Sequence, residues 1–558
     1  MTPEQAAVLE RVKSTLPNLQ KIHSTCRTPS LTFGILHENE ILLQDSIGHR
    51  DNSLTLPSNP DTIYMLGSCS KMFTSAAAGL LVAEGKLSWT DPISKYIPEF
   101  NPTGDPRIGR EADIIDCLRH TTGLASPTLL TVGPRGTIVS DEEDLIGILN
   151  AMPTATPNGG EQRFNREWLY NNAAVGLVAI VIERITQQRF VDFVRERLLI
   201  PLGMTRTALT RAEIEADANI AVPCTKLRDG SFCELPDCSW PCDTHPPLLA
   251  GMGMRSNISD MLTWCRAVLD AERSETDPSY KSIVHNNPLK QMTCVRRGYW
   301  TRPPDDPEFS SAATYGMGWF RVDIPSSKLS SFSGNALSQG PEHKLHLDYI
   351  LGRDWKGEGK QALTAVGHTG GMRGSIFSVY TFPETMSAVV TATNGRDQGD
   401  ASDFAAQVLI QALFDLTPLV DVHEWAFREA ELARTHYRGH IEGPWEEGRR
   451  PKDLERDRMI YVGVYVGFNE RFRLSIIVAD DDPAETTLAV VFNGRVRSTC
   501  PFFLPNEDYA KTQAITAREY EQMLLRFRID TEGGVQGLYW KWNTEANEEP
   551  AWMPKITL

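Results

Sequence analysis

Strand-like runs at both ends of a helical middle limit the folds open to this chain more than any other feature. Residues 31–48 (LTFGILHENEILLQDSIG) hold two apolar runs around the polar stretch His37–Glu40, the pattern of a hairpin. Residues 376–393 (IFSVYTFPETMSAVVTAT) read as two more strands around a turn containing Pro383. Helical patterns lie between: Ser70 to Glu84, stopped by Gly85; 173–186; and 259–271 (SDMLTWCRAVLDA), with Ser259 as the expected N-cap. Residues 402–415 then predict an amphipathic helix. A sheet assembled from both ends, with helices inserted, makes an α/β domain. The longest apolar stretch, Ala173 to Ile182, is 10 residues and stops at Glu183. A membrane span needs roughly 18–20, so this segment is expected to be a buried helix.

Near residue 438 the composition shifts. The stretch RGHIEGPWEEGRRPKDLERDR is charged and interrupted by Gly and Pro, which predicts a linker over 438–457. Beyond it come short strand-like runs at Ile460–Val466, Phe472–Val478, Thr487–Phe492, Leu524–Ile529 and Val535–Trp542, separated by turns such as Asn493-Gly494. The expected organisation is a catalytic domain over 1–437 and an antiparallel, β-barrel-like or sandwich domain over 458–558. Residues 205–250 and 273–345 are rich in Pro, Ser, Asp and Gly and read as long loops.

The 558 residues carry 56 Lys and Arg against 72 Asp and Glu, a net charge of −16. Such a chain is repelled by nucleic acid and by anionic membrane surfaces, so neither is an expected partner. The first residues, MTPEQAAVLERVKSTLPNLQ, lack the apolar core of a signal peptide, which leads to the expectation of a cytoplasmic protein with reduced thiols. Cys224, Cys233, Cys238 and Cys242 cluster, but gaps of 8, 4 and 3 residues fit no common zinc pattern. Glu342, His343, His346 and Asp348 have metal-like spacing in a polar loop and read as solvated side chains. Neither a metal nor a cofactor is expected.

Three short motifs point to chemistry. Ser68-Cys69-Ser70-Lys71 sets a serine and a lysine three apart at the start of a predicted helix, so one turn brings the amine beside the hydroxyl. A serine is a weak nucleophile until a neighbouring base takes its proton. Tyr170-Asn171-Asn172 precedes an apolar helix; a tyrosine beside cations can shuttle a proton, and Asn172 can orient a lysine or a carbonyl. His368-Thr369-Gly370-Gly371 enters a strand pair, where small residues let a substrate lie along the edge and backbone N–H groups can bind an oxyanion together with that of Ser68. Cys69 reads as a packing residue and His120 as a structural hydrogen-bonding residue.

In this order, Ser-x-x-Lys, Tyr-x-Asn and His-Thr-Gly resemble the serine β-lactamase-related family of class C β-lactamases, D-Ala-D-Ala carboxypeptidases, esterases and acyltransferases. Further stretches are similar to that family: Gly85-Lys86-Leu87, Asp91 to Glu99, Leu118 to Leu124, Pro201-Leu202-Gly203-Met204, Gly251 to Met254, and Tyr315-Gly316-Met317-Gly318-Trp319. The resemblance covers roughly residues 15–420. It implies a β-lactamase/transpeptidase-like α/β sandwich with a helical lobe. It also implies roles: Ser68 as the acylated nucleophile, Lys71 as its base and Tyr170 as proton shuttle. Asn172 would position substrate, and the N–H groups of Ser68 and Gly371 would form the oxyanion hole beside Thr369 and Gly370. His368 stands where β-lactamases carry lysine, although His-Thr-Gly is similar to some carboxypeptidases of the family. A neutral imidazole holds a carboxylate weakly at pH 7, which counts against true β-lactamase activity.

The favoured functional expectation is a serine hydrolase cleaving an ester or amide of a small metabolite, such as a natural-product intermediate, through an acyl-Ser68 intermediate. An acyltransferase that hands the same acyl group to a hydroxyl or amine uses identical groups. A catalytically inactive binding scaffold is the third reading; the presence of Ser68, Lys71 and Tyr170 together argues against it.

Overall fold

The computed structural model describes residues 1–157, 160–215, 217–226, 232–235, 245–302, 312–326, 329–330, 332–335, 349–354, 363–372, 374–395, 398–437, 439, 443–448, 458–479, 488–502, 524–543 and 548–556. Glu342, His343, His346, Asp348, Cys238 and Cys242 lie outside them, as does most of the 438–457 stretch. The chain packs as two compact units. Among the described residues, one takes those of 1–91, 178–235 and 245–434; the other takes those of 92–177 and 435–558.

The first unit is built on an eight-stranded antiparallel sheet. Its strands are β1 (Ser30–His37), β2 (Glu40–Gly48), β3 (Trp300–Arg302), β4 (Ala313–Tyr315), β5 (Phe320–Ile324), β6 (Leu363–Met372), β7 (Ser375–Phe382) and β8 (Ser387–Thr393), in the order β2-β1-β8-β7-β6-β5-β4-β3. Both predicted hairpins are present, and β1 pairs with β8, so strands from the two ends of the domain lie side by side in one sheet. The β1–β2 turn works because Glu38 and Asn39 take positive φ (49° and 67°), the left-handed pair that matches strand twist.

Six helices are relevant here: α1 (Pro3–Lys13), α2 (Leu16–Cys26), α3 (Lys71–Ala83), α4 (Asn172–Thr186), α5 (Ile258–Thr276) and α6 (Ala401–Phe414). α1 and α2 pack on α6, and α6 on β8, where Thr391 donates to Ser402 O at 2.8 Å. α5 packs on β1 and β8, and its Trp264 stacks on Phe73 of α3 at 4.0 Å. With helices over its strands β1 is buried along its whole length, which is why it reads as a near-continuous apolar run. α6 is likewise buried on nearly every side rather than amphipathic. The N-cap of α5 is Asn257, whose Oδ1 accepts from Asp260 N at 2.7 Å, and not Ser259, whose hydroxyl donates to Asp61 at 2.8 Å.

The second unit joins short helices and loops of 92–177 to a seven-stranded antiparallel sheet near the C-terminus. Its strands are β9 (Gly463–Gly467), β10 (Phe472–Val478), β11 (Leu488–Phe492), β12 (Cys500–Phe502), β13 (Leu525–Ile529), β14 (Val535–Trp540) and β15 (Ala551–Ile556), ordered β12-β11-β10-β9-β15-β14-β13. Among the described residues it is an open sheet ending at β12 and β13, a half-barrel more than a closed one. The sheet and the 92–177 segment share polar contacts, two of them buried. Asn493 Nδ2 donates to Val139 O (2.7 Å), Thr137 Oγ1 to Arg497 O (3.2 Å) and Asn543 Nδ2 to Ser126 O (3.2 Å), and Arg163 pairs with Glu548. The packing division therefore does not follow the chain division at 437 that composition suggests. Among the described residues no helix is long and apolar enough to cross a membrane.

Candidate active site

Ser68 sits in a 3-10 turn, Gly67–Ser70, that runs directly into α3. A 3-10 turn has three residues per turn, so residues i and i+3 eclipse. That places Lys71 directly over Ser68, and Lys71 Nζ lies 3.1 Å from Ser68 Oγ. The turn is locked from within and from a neighbour: Ser70 Oγ donates to Gly67 O (2.7 Å) and accepts from Met254 N (3.0 Å). Gly67 is at φ +52°, and a β-carbon there would fall 2.7 Å from Gly371 N. A β-carbon on Gly370 would lie 1.8 Å from Leu66 O and 2.8 Å from Ser68 N. The two glycines thus let β6 and the serine turn touch backbone to backbone.

Lys71 is completely buried. Its Nζ also donates to Gly251 O at 2.7 Å. Burial holds the amine well below the ordinary lysine pKa, with a small opposing pull from Cys69. Because the folded pKa lies below the unfolded one, this burial costs stability at lower pH, and the cost fades as pH rises toward the ordinary lysine value. Cys69 itself is buried, its thiol pKa pushed up by desolvation, and Sγ donates to His368 O at 3.3 Å. That is the packing role expected of it.

On the β5 side, pairing of β6 ends at Gly367, so His368–Met372 have strand partners on β7 alone. Gly371 is exposed, and a β-carbon there would meet nothing within 4 Å. Thr369 is buried, and its hydroxyl has no hydrogen-bond partner among the described residues. His368 is 1% exposed and faces inward. Its Nδ1 lies 2.5 Å from Thr369 O, which can only accept, so the proton is on Nδ1 and Nε2 accepts from Tyr315 Oη at 3.0 Å. Burial, then the nearby Lys71, hold its pKa down to about 3. His368 is thus a neutral ring among Tyr315, Phe320 and Phe332. Replacing it by lysine puts a second amine into this buried neighbourhood. His368→Lys should destabilise the protein by several kcal/mol, read as a lower thermal midpoint, whereas a ring reaching solvent would tolerate it.

Tyr170 and Asn172 lie in the second unit, both half-buried. Asn171 between them is fully buried and caps α4: its Oδ1 accepts from Ala174 N at 3.1 Å. The His120 ring packs against Tyr170 at 4.3 Å, tilted by 45°, and its Nδ1 accepts from Asn171 N at 3.2 Å. His120 therefore has the structural role expected of it, and what it holds is the Tyr-x-Asn motif.

A family profile described as Beta-lactamase matches residues 13–412. The chain belongs to the beta-lactamase family. It is 28% identical over 273 residues to a protein of Mycobacterium tuberculosis, an alignment covering 45% of this chain and 66% of that one, just under two thirds. A protein of Salmonella agona named as a candidate D-alanyl-D-alanine carboxypeptidase is 29% identical over 191 residues, covering 32% of this chain and 43% of that one. The octameric penicillin-binding protein homologue of Pyrococcus abyssi superposes with a TM-score of 0.53 at 18% identity, covering 97% of this chain and 99% of that one. That likeness carries the fold: a penicillin-binding-protein-like α/β fold with a C-terminal antiparallel sheet.

Members of the beta-lactamase family are generally serine hydrolases or acyltransferases. Two residues beside Lys71 and His368 carried no role in the sequence reading. Gly251 acts through its carbonyl, which no side-chain pattern reveals, and Tyr315 through its hydroxyl. Both lie in glycine-rich stretches, Gly251-Met252-Gly253-Met254 and Tyr315-Gly316-Met317-Gly318-Trp319, and that density of glycine was the available signal.

Proposed function

We propose that the protein is a serine hydrolase that cleaves an ester or amide of a small molecule through an acyl-Ser68 intermediate. One observation carries the reading: a buried amine, depressed in pKa, 3.1 Å from a serine hydroxyl at the head of a helix. The uncharged amine accepts the Ser68 proton as Oγ attacks the carbonyl carbon. The oxyanion forms at the N–H groups of Ser68 and Gly371, favoured by the N-terminal end of α3. The proton passes to the leaving group, with Tyr170 as shuttle and Asn172 and Thr369 orienting the substrate. Water then releases the acyl group. The depressed Lys71 pKa and the buried Thr369 hydroxyl support these roles, and the carboxypeptidase name of the Salmonella relative fits acyl chemistry on serine. Inward-facing His368 offers little hold on a substrate carboxylate, which favours neutral esters and amides.

The test is to incubate the protein with p-nitrophenyl acetate and locate the acetyl group by peptide mass spectrometry. Label on Ser68 is the expected result; label elsewhere, or none, sinks the reading. An added alcohol that diverts the product from acetate to an acetyl ester would make the enzyme an acyltransferase.

The pH profile gives a second check. Acylation needs uncharged Lys71, so its rate should climb with pH and level off below pH 10.5, the ordinary lysine value. His368, held to about 3, should add no step between pH 5 and 8. Lys71→Ala should lower acylation by about 10²–10⁴-fold and abolish the limb. A limb that survives that substitution belongs to another group.

A further inference from the structure

The segment carrying Tyr170 is strapped to the turn 120–126 along its length. Asn165 N donates to Thr121 O (3.0 Å) and Leu169 N to His120 O (2.9 Å), and the His120 ring covers Tyr170. Arg163 stands at the start of this segment with a side chain 1% exposed. It ion-pairs with Glu167 at 3.3 Å and donates to Glu548, which is 5% exposed and 385 residues away in sequence. Five residues before Glu548, buried Asn543 donates to Ser126 O at 3.2 Å, on the opposing side of the same strap. Asn543, after β14, and Glu548, before β15, therefore grip both halves of the loop pair that holds Tyr170, and the firmest grip is a charged pair shielded from water, where orientation is strongly enforced.

We propose that Glu548, acting through Arg163, is a positioning residue for Tyr170, so that the C-terminal domain sets the geometry of the proton shuttle. The inference rests on the reading of Tyr170 given under Proposed function. Glu548 touches neither substrate nor reacting atoms; its effect travels along the segment 163–171.

The experiment uses the full-length chain carrying Glu548→Gln, which keeps shape and removes the charge. Hydrogen exchange should quicken about tenfold or more at the amides of Asn165, Leu169 and Asn171, and stay unchanged in peptides from 67–83 and 363–382. Acylation of Ser68 by p-nitrophenyl acetate should slow by about tenfold, as a displaced catalytic group predicts. In a Tyr170→Phe background the same substitution should cost nothing further. Unchanged exchange over 163–171, or a full additional loss in that background, would overturn the proposal. If exchange quickens but Tyr170→Phe leaves acylation intact, positioning stands and the shuttle reading falls. Should Glu548→Gln fail to fold, Glu548→Asp keeps the charge and withdraws the carboxylate by one methylene, and the same readouts decide.

Discussion

Ser68→Ala should lower turnover of an activated ester by about 10⁴-fold or more, the usual loss when the nucleophile of an acyl-transfer unit is removed. The fold should hardly notice. The turn is held by Ser70 and by the glycine contacts to β6. Lys71 keeps its bond to Gly251 O. Stability should therefore stay within about 1 kcal/mol of the parent. The two measurements together are decisive: the acetylated Ser68 peptide disappears while the thermal midpoint holds. Residual activity within tenfold of the parent would exclude an acyl-Ser68 mechanism.

A chain ending at residue 437 should lose the order of its 92–177 segment. Composition alone suggests the opposite, because a charged, Gly- and Pro-containing stretch looks like a boundary that few buried contacts cross. The packing shows contacts that do cross it. Truncation strips Glu548 from Arg163, Asn543 from Ser126, Asn493 from Val139 and Arg497 from Thr137. Breaking one buried pair by removing a partner costs about 3–5 kcal/mol, a large share of the roughly 5–15 kcal/mol that holds a domain folded. Glu167, at 3.3 Å from Arg163, offsets only part of it. The Lys71 bonds to Ser68 and to Gly251 O lie within the first unit, so damage should concentrate in 92–177. Limited proteolysis should cut there first, and acylation should fall with it. A soluble, monomeric 1–437 chain resistant to cleavage over 92–177 would show that the C-terminal sheet is dispensable.

What could be read from the sequence was local. The β1–β2 hairpin follows from two apolar runs and a polar tight turn, and the Ser68–Lys71 pairing follows from a spacing of three on a helical turn. The motif order was enough to place the chain in its family. Ambiguity began wherever one sequence offered two local solutions: Asn257 and Ser259 are both good caps, and the choice fell to the residue whose oxygen reaches Asp260 N, while Asp61 took up the other.

The tertiary structure alone decided everything that depends on which distant residues exclude water. Lys71 titrates low because the chain closes over it, with Gly251 as a partner 180 positions away. His368 turns from a candidate carboxylate hold into a buried neutral ring because Tyr315 and two phenylalanines surround it. The segment holding Tyr170 joins the C-terminal sheet because Arg163 finds Glu548. Spacing along the chain fixes which groups can share a turn, whereas desolvation and charge pairing depend on neighbours in space, and folding brings those from anywhere in the sequence.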